Sequence, residues 1–442
     1  MSGIAEVLLN LGYSVSGSDV RTSNTITRLQ DMGATISIGH KSENVSGKDV
    51  VVYSSIIRKE NPELKQAHKL AIPVIPRAEM LAELMRMKYG IIVAGSHGKT
   101  TTTSFISSVL HYSGLDPTIV VGGKLRTLGS NAYLGKGKFM VVEADESDGS
   151  FLKLSPIIAV VTNIDNEHMD YYKNEQNLNQ AFKDFIRKIP FYGLSVVCAE
   201  DKRAMSIVEG YERRHVTYGL ENDANLMAKN VNVSSLRTSY NLIYKGDNMG
   251  EVQIQLPGKH NALNSLVSFA VGFEIGLEFN DIKTGLEKFS GIERRIQVKD
   301  IVNGITVIDD YGHHPREMEV TLDAVKQSFR PQNMHVIFQP HRYSRTLNLF
   351  NEFVQVLKRL DRLYLLDIYA AGENPIDNVS SEILASAIVK NGNGEVKYFR
   401  DEYELIKQLL KNLKPGDVVI TLGAGNVWMT GEVLIKELKC SQ

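Results

Sequence analysis

Several clusters in this chain combine residue types and spacing suited to chemistry on an anion. The first is Gly95-Ser96-His97-Gly98-Lys99-Thr100-Thr101-Thr102, which follows the apolar run Ile91–Ala94 and opens a helical segment. Glycines let backbone N–H groups face a polyphosphate, and a helix N-terminus adds positive potential. Lys99 supplies a mobile ammonium, and the hydroxyl of Thr100 or Thr101 suits Mg2+. The usual phosphate loop has a glycine where this chain has Val93, so the loop is a shortened variant running from Gly95 to Gly98. The plain alternative is a tight strand-to-helix turn with an incidental lysine. A phosphate loop alone does not say what is done with the phosphate.

Two acidic clusters come next, Glu143-Ala144-Asp145-Glu146-Ser147-Asp148 and Asn163-Ile164-Asp165-Asn166-Glu167-His168-Met169-Asp170, each just past an apolar run. In an open parallel sheet, ligands sit beyond the carboxyl ends of strands, so both are expected at the mouth of the phosphate loop. Mg2+ prefers carboxylate, water and phosphate oxygens, which makes Glu143 a natural ligand. His168 is a less usual ligand for that ion, and Asp145, Glu146 and Asp148 serve equally well as caps of turns and helices. Further on, Gly258-Lys259-His260-Asn261-Ala262-Leu263-Asn264 opens a helix. Its Asn261 and Asn264 amides match the donor–acceptor edge of adenine, although helix capping explains Asn261 equally well.

The last stretch carries Asp309-Asp310-Tyr311-Gly312-His313-His314-Pro315 and Gln339-Pro340-His341-Arg342-Tyr343-Ser344-Arg345 at successive strand ends. Arg342 and Arg345, at a strand-to-helix turn, suit bidentate capture of carboxylate or phosphate. His97, His168, His260, His313, His314 and His341 make up six of the eleven histidines, all inside these motifs. Such clustering favours a polar catalytic cleft between the second and third parts of the chain.

The elements that must position these residues alternate short β-branched runs with amphipathic helices, the pattern of parallel α/β sheets. Strands are expected at Tyr13–Ser18, Ala34–Ile38 and Val50–Ser54, then at Phe139–Glu143, Ile157–Thr162 and Leu194–Cys198. An antiparallel-looking interlude follows at Leu226–Val233, Tyr240–Tyr244 and Glu251–Leu256, and strands resume at Thr306–Asp309, His335–Phe338, Arg362–Leu366, Val396–Phe399 and Val418–Leu422. At roughly 150 residues per domain, 442 residues suggest three domains. We place the boundaries near residues 88 and 295, giving domains 1–88, 89–295 and 296–442. Lys+Arg 50 against Asp+Glu 51 argues against a broadly basic nucleic-acid surface. Two distant cysteines, Cys198 and Cys440, fit a reducing cytoplasm better than a disulfide framework. No apolar run is long enough to span a bilayer, and no secretory signal is visible. The chain opens on what reads as a helix, with no strand before it.

Taken together, the motifs resemble the Mur ligase family over essentially the whole chain. The carriers are GSHGKTTT at 95–102, EADESD at 143–148, NIDNEHMD at 163–170, GKHNALN at 258–264 and FSGIERR at 289–295. DDYGHHP at 309–315, FQPHRYSRT at 338–346, YAAGENP at 369–375 and GAGN at 423–426 complete the set. The resemblance implies three α/β domains: a Rossmann-like N-terminal domain, a central P-loop ATPase-like domain and a C-terminal Rossmann-like domain. It also implies a cytoplasmic step of peptidoglycan precursor synthesis with ATP and Mg2+. ATP would phosphorylate the lactyl carboxylate of UDP-N-acetylmuramate, and the amine of L-alanine would displace the phosphate. A monomer or homodimer acting on small molecules is expected, with no nucleic acid and no membrane. Residue by residue, Gly95, Ser96, His97, Gly98, Lys99, Thr100 and Thr101 match the phosphate loop. Glu143 and His168 match metal-site ligands beside Thr100, and Asn261, Asn264, Arg295 and Asp310 match nucleotide contacts. His314, Arg342 and Arg345 match the acceptor site.

The family opens with a strand and a glycine-rich turn around the uridine diphosphate, whereas this chain begins at the Met-Ser-Gly of that turn. A missing first strand would leave the neighbouring strand edges unpaired. Ser2, Gly3, Ser18, Asp19, Ser54 and Ser55 remain as contacts for the sugar nucleotide. Two other readings stay open: a recycling ligase that adds a tripeptide to the same sugar nucleotide, and a truncated protein that holds ATP without ligase activity.

Overall fold

The opening residues do form a helix, Ser2–Asn10, which buries Ile4 and Val7 on one face. In a computed structural model describing residues 1–54, 57–86, 88–125, 130–234, 236–392 and 394–440, it is followed by four short strands. β1 (Ser16–Asp19) pairs in parallel with β2 (Thr35–Ile38), and β3 (Val51–Tyr53) pairs in parallel with β4 (Val74–Pro76). The two pairs are separate sheets among the described residues. Ile4 and Val7 share one hydrophobic cluster with Leu81, Leu84 and Met85 of the Arg77–Met85 helix and with Ala132, Met140 and Val142 of the following sheet. This common core is why residues 1–88 group by contact with the central part of the chain.

The contact network accordingly yields two units, where the sequence suggested three domains in series. The first comprises Met1–Asn230, Tyr240–Gln253 and Ala262–Ser290; the second comprises Val231–Ser239, Ile254–Asn261 and Gly291–Gln442.

The first unit is organised on a sheet built from β5 (Tyr89–Ala94), β6 (Thr118–Leu125), β7 (Ser130–Tyr133), β8 (Phe139–Glu143), β9 (Ile158–Val161), β10 (Leu194–Cys198), β11 (His215–Gly219), β12 (Leu226–Ser234), β13 (Arg237–Tyr244) and β14 (Asp247–Ile254). Their order is β14-β13-β12-β11-β10-β9-β5-β8-β6-β7. β5 is central, in parallel register with β8 and β9, and Ile91, Ile92, Val93 and Ala94 are fully buried. Continuous apolar runs such as this one belong in a sheet covered on both faces. The phosphate loop therefore leaves the carboxyl end of an enclosed strand, flanked by the ends of β8 and β9 where the acidic clusters begin.

The second unit carries β15 (Gln297–Val302), β16 (Ile305–Asp310), β17 (Met334–Phe338), β18 (Arg362–Leu365), β19 (Glu395–Tyr398) and β20 (Val418–Leu422), ordered β15-β16-β20-β17-β18-β19. β15 is antiparallel to β16, and the other neighbours are parallel. The segments after β16, β17, β18 and β20 are DDYGHHP, QPHRYSRT, YAAGENP and GAGN, all at one end of this sheet. β4, β6, β7, β11 and β15 lie outside the strands expected from the sequence. The turn Asn303-Gly304, with φ +55° and +75°, is a hairpin signal that would have located β15.

Candidate active site

Glycine is required at both ends of the phosphate loop. Gly95 has φ +133°, and a Cβ there would meet Thr162 Oγ1 at 2.1 Å. Gly98 has φ +80° and caps the Lys99–Tyr112 helix, and a Cβ there would meet Asn264 Oδ1 at 2.9 Å. Asn264 therefore lies against the loop. The segment after β9 holds the loop in shape. Ser96 N–H donates to Asn163 O (3.0 Å), and His97 N–H donates to Asn163 Oδ1 (2.8 Å). Thr162 Oγ1 and Asn163 Nδ2 donate to His97 O at 2.6 and 3.0 Å, and Asp165 N–H donates to Ser96 Oγ at 2.8 Å. Thr101 is buried inside the helix that follows.

Lys99 folds into this loop. Its ammonium donates to Glu146 Oε1 at 2.9 Å and to the carbonyls of Gly95 and Ser96 at 2.5 and 3.0 Å. Burial works against the charge on Lys99, but the carboxylates of Glu146, Glu143 and Glu167 outweigh it and hold the pKa above the ordinary lysine value. At Glu146 burial dominates and pushes the carboxyl up to about 7 against the pull of Lys99.

The oxygen donors suit Mg2+. Thr100 Oγ1 donates to Glu143 Oε1 at 2.9 Å, and Glu143 Oε2 accepts the Gly122 N–H at 2.6 Å, so a hydroxyl and a carboxylate stand side by side at the phosphate loop. Ligand atoms of Glu146, Glu167 and His168 lie within 4.8 Å of one another. Glu146 Oε2 is buried with no hydrogen-bond partner among the described residues, an arrangement a cation would relieve. His168 thus stands with Glu146 (3.8 Å) and Glu167 (3.6 Å), in a left-handed backbone conformation at φ +58°. The three metal-site residues expected from the sequence are spread over two carboxylate groups that meet at Lys99. Glu146 and Asn163 lay inside recognised motifs, and Thr162 ended an expected strand, but nothing in their local spacing separated them from turn caps.

In the second unit the arginine pair divides its work. Arg294 Nε donates to Asp309 Oδ2 at 3.0 Å, while its other nitrogens reach the carbonyls of Gly423 (2.5 Å) and Gly425 (3.2 Å). Arg294 is therefore the tie between DDYGHHP and GAGN. Arg295 stands 3.9 Å from Glu317, with its guanidinium 5.7 Å from the Tyr311 ring centroid. Asp310 is buried, and its carboxylate accepts from Ile296 N–H, Gly312 N–H and Thr321 Oγ1 at 2.8, 2.8 and 3.2 Å. Burial raises its pKa, with Arg295 opposing. These bonds make Asp310 an organiser of the loop it belongs to. His314 caps the Pro315–Phe329 helix by accepting Arg316 N–H at Nδ1 (3.3 Å), which fixes that nitrogen as unprotonated.

His341 stacks on Tyr369 (5.6 Å, 9°) and takes a hydrogen bond from Arg345 at Nδ1 (3.2 Å). Ser344 donates through its hydroxyl and its N–H to Glu373 at 2.6 and 3.0 Å, and Arg342 N–H donates to Tyr369 O at 2.8 Å. QPHRYSRT and YAAGENP are thereby held together, with Arg342 and Arg345 on one short turn. Burial first, then neighbouring charge, pushes the imidazoles of His313 and His341 down to about 4; Glu317 opposes this at His313, and Arg345 assists at both. Asn261, also assigned to the nucleotide, donates from Nδ2 to Pro257 O at 2.7 Å.

At the N-terminal end, Ser2 and Gly3 begin the first helix, with Gly3 buried. Asp19 Oδ1 accepts Val20 N–H at 2.7 Å. Ser18 is engaged by Glu63 and His40. Ser54 follows β3 and accepts Ile57 N–H at its carbonyl (2.9 Å), and Ser55 lies outside the described residues.

Three family models match the chain: the Mur ligase family catalytic domain over residues 1–89, the Mur ligase middle domain over 93–272, and the Mur ligase glutamate ligase domain over 294–425. The chain is 54% identical to a UDP-N-acetylmuramate–L-alanine ligase of Geobacter sulfurreducens, covering 99% of this chain and 95% of that protein. It is also 54% identical to the corresponding ligase of Trichlorobacter lovleyi, covering 99% and 96%. Among solved structures, the UDP-N-acetylmuramate-alanine ligase of Thermotoga maritima superposes with TM-score 0.86 at 25% identity, covering 100% of this chain and 97% of that one. A murein peptide ligase from Psychrobacter arcticus shares the fold, with TM-score 0.72 at 22% identity over 99% and 96%. The models between them span most of the sequence, and the phosphate loop, both acidic clusters and the arginine turn stand at the strand ends they must occupy; the chain belongs to the Mur ligase family.

Proposed function

We propose that the chain is an ATP-dependent ligase that joins L-alanine to the lactyl carboxylate of UDP-N-acetylmuramate in cytoplasmic peptidoglycan precursor synthesis. The observation that carries this reading is 54% identity over 99% of the chain to ligases of that name. The architecture supports it, because a self-supported phosphate loop with a charged Lys99 is the equipment of phosphoryl transfer. We assign residues 1–88 to the sugar nucleotide, 89–295 to ATP and 296–442 to the amino acid.

A carboxylate is a poor electrophile, so its oxygen first takes the γ-phosphoryl group of ATP, releasing ADP and leaving an acyl phosphate. The amine nitrogen of L-alanine then attacks the acyl carbon. The carbon–oxygen bond to phosphate breaks, inorganic phosphate leaves, the amine gives up a proton, and an amide remains. Transfer between anions needs charge neutralisation, which Lys99 supplies beside the N–H groups at the start of the Lys99–Tyr112 helix. Mg2+, when bound, adds a divalent charge against the phosphate oxygens; Thr100 and Glu143, with Glu146, Glu167 and His168, would hold it. Arg342 and Arg345 suit the α-carboxylate of alanine, and the neutral imidazoles of His313 and His341 leave the positive charge of that turn to the guanidinium groups.

The test is phosphate release with ATP, Mg2+, UDP-N-acetylmuramate and L-alanine, omitting each in turn. Release is expected only with all four. Release that does not depend on the amino acid, or a preference for a tripeptide over L-alanine, rejects the reading.

A further inference from the structure

A four-residue polar cluster at the carboxyl ends of β1 and β2 has no part in the phosphate chemistry. Ser18, the third residue of β1, donates its hydroxyl proton to Glu63 Oε2 at 2.8 Å and lies 2.9 Å from His40 Nδ1. His40 Nδ1 is also 3.3 Å from the same Glu63 oxygen, and Asn44 Nδ2 donates to Glu63 Oε1 at 2.6 Å. Glu63 sits in the first turn of the Pro62–Lys69 helix, where Asn61 Oδ1 accepts its N–H at 2.8 Å. The arrangement resembles a nucleophile–base–acid relay, but the carboxylate and the hydroxyl meet the same ring nitrogen. In a relay the acid holds the nitrogen remote from the nucleophile, so Ser18 is not activated for attack.

The proton count gives Ser18 a different role. A serine hydroxyl has one proton and two lone pairs, and a carboxylate only accepts. With its proton given to Glu63, Ser18 receives the Nδ1–H of His40 on one lone pair and keeps the other. It can accept one more hydrogen bond and can donate none. Phosphate oxygens need donors; sugar hydroxyls can donate. Next to it, Asp19 ends β1 with one carboxylate oxygen holding the Val20 N–H, and an acidic residue at such a strand end is the usual partner of a ribose hydroxyl in nucleotide-binding α/β folds.

We infer that Glu63 is a positioning residue for ribose recognition: by taking the Ser18 proton it makes Ser18, beside Asp19, an acceptor for a ribose hydroxyl of the sugar nucleotide. This rests on the reading of residues 1–88 as the sugar-nucleotide site. Glu63→Gln reverses the polarity, because an amide nitrogen facing Ser18 donates to it and turns the serine proton outward.

Uridine diphosphate and its 2′-deoxy and 3′-deoxy analogues, titrated calorimetrically into the full chain, test the inference. The unsubstituted chain should prefer uridine diphosphate to at least one deoxy analogue by about 10-fold, the worth of one hydrogen bond in a part-buried site. Glu63→Gln should reduce that preference to within about twofold while leaving ATP affinity and melting temperature unchanged. Ser18→Ala should do the same, and the double variant should be no worse than either single one, because the two residues act through one another. In turnover, KM for UDP-N-acetylmuramate should rise about 10-fold with kcat and the KM for ATP held. Full ribose preference in Glu63→Gln overturns the inference, as does a fall in melting temperature and kcat with the preference intact. If the unsubstituted chain binds uridine diphosphate but makes no amide, the ligase reading fails while the deoxy preference still decides this one.

Discussion

Lys99 and Glu146, 47 positions apart in the chain, meet at 2.9 Å, and the same ammonium also holds the carbonyls of Gly95 and Ser96. Its three protons thus have three acceptors within the first unit, and on the proposed reading a nucleotide phosphate gains the lysine by exchange with them.

Replacing the ammonium removes the charge that this exchange delivers. Lys99→Ala should lower the ligation rate by at least about 10²-fold, the usual cost of losing one preorganised stabiliser of developing charge. Lys99→Arg should not restore it, because a planar guanidinium does not fit a compact three-acceptor seat. Steady-state ADP release checks both.

Gly95→Ala places a methyl group 2.1 Å from Thr162 Oγ1 at a backbone angle that L-residues rarely adopt. We expect destabilisation of about 1–3 kcal/mol and loss of nucleotide binding. Denaturant unfolding and ATP titration measure the two effects. Retention of full ATP affinity would show that the loop tolerates a different path.

Arg294→Ala removes the charge partner of Asp309, whose side chain is 2% exposed and keeps the Thr421 hydroxyl, and releases the carbonyls of Gly423 and Gly425. An uncompensated buried carboxylate costs about 3 kcal/mol or more, and Arg294→Lys should recover little because one ammonium cannot reach all three acceptors. Arg295→Ala, lacking those ties, should affect stability less than activity. Chemical denaturation of the two alanine variants compares them directly.

The depressed pKa values of His313 and His341 give a pH dependence. Burial holds both near 4 in the folded chain, whereas an unfolded histidine titrates near 6.5. Between those values the unfolded state binds more protons. The stability these residues contribute is therefore present above about 6.5 and is lost as pH falls towards 4. A His341→Gln variant, which cannot titrate, should lose less melting temperature than the unsubstituted chain across that window. Parallel acid-induced loss in both would reject the assignment.

Much of the site was legible before any fold was known, because its parts are contiguous. GSHGKTTT carries its glycines, lysine and hydroxyls in one turn, and backbone geometry alone turns them towards a phosphate. EADESD, NIDNEHMD and QPHRYSRT likewise announce strand ends. The long apolar strands Phe139–Glu143, Leu194–Cys198 and Val418–Leu422 were legible for the same reason: a continuous β-branched run has one good home, a covered parallel sheet. Short strands such as β4 and β7 were not, since so few residues carry no resolvable period.

What the sequence by itself determined is therefore the chemistry on offer: a phosphate loop, oxygen ligands and an arginine turn, each encoded within a few residues. Only the tertiary structure decided who meets whom. It gave Lys99 to Glu146, set Arg294 on Asp309 and two distant carbonyls, brought the Ile296 N–H to Asp310, made His314 the cap of the helix that follows it, and tied the Ser18 proton to Glu63. It also joined residues 1–88 to the central sheet through a shared core. The physical reason is that hydrogen bonds and burial are set by distance in space, and partners tens of residues apart are matched only when the sheet order brings their strand ends together.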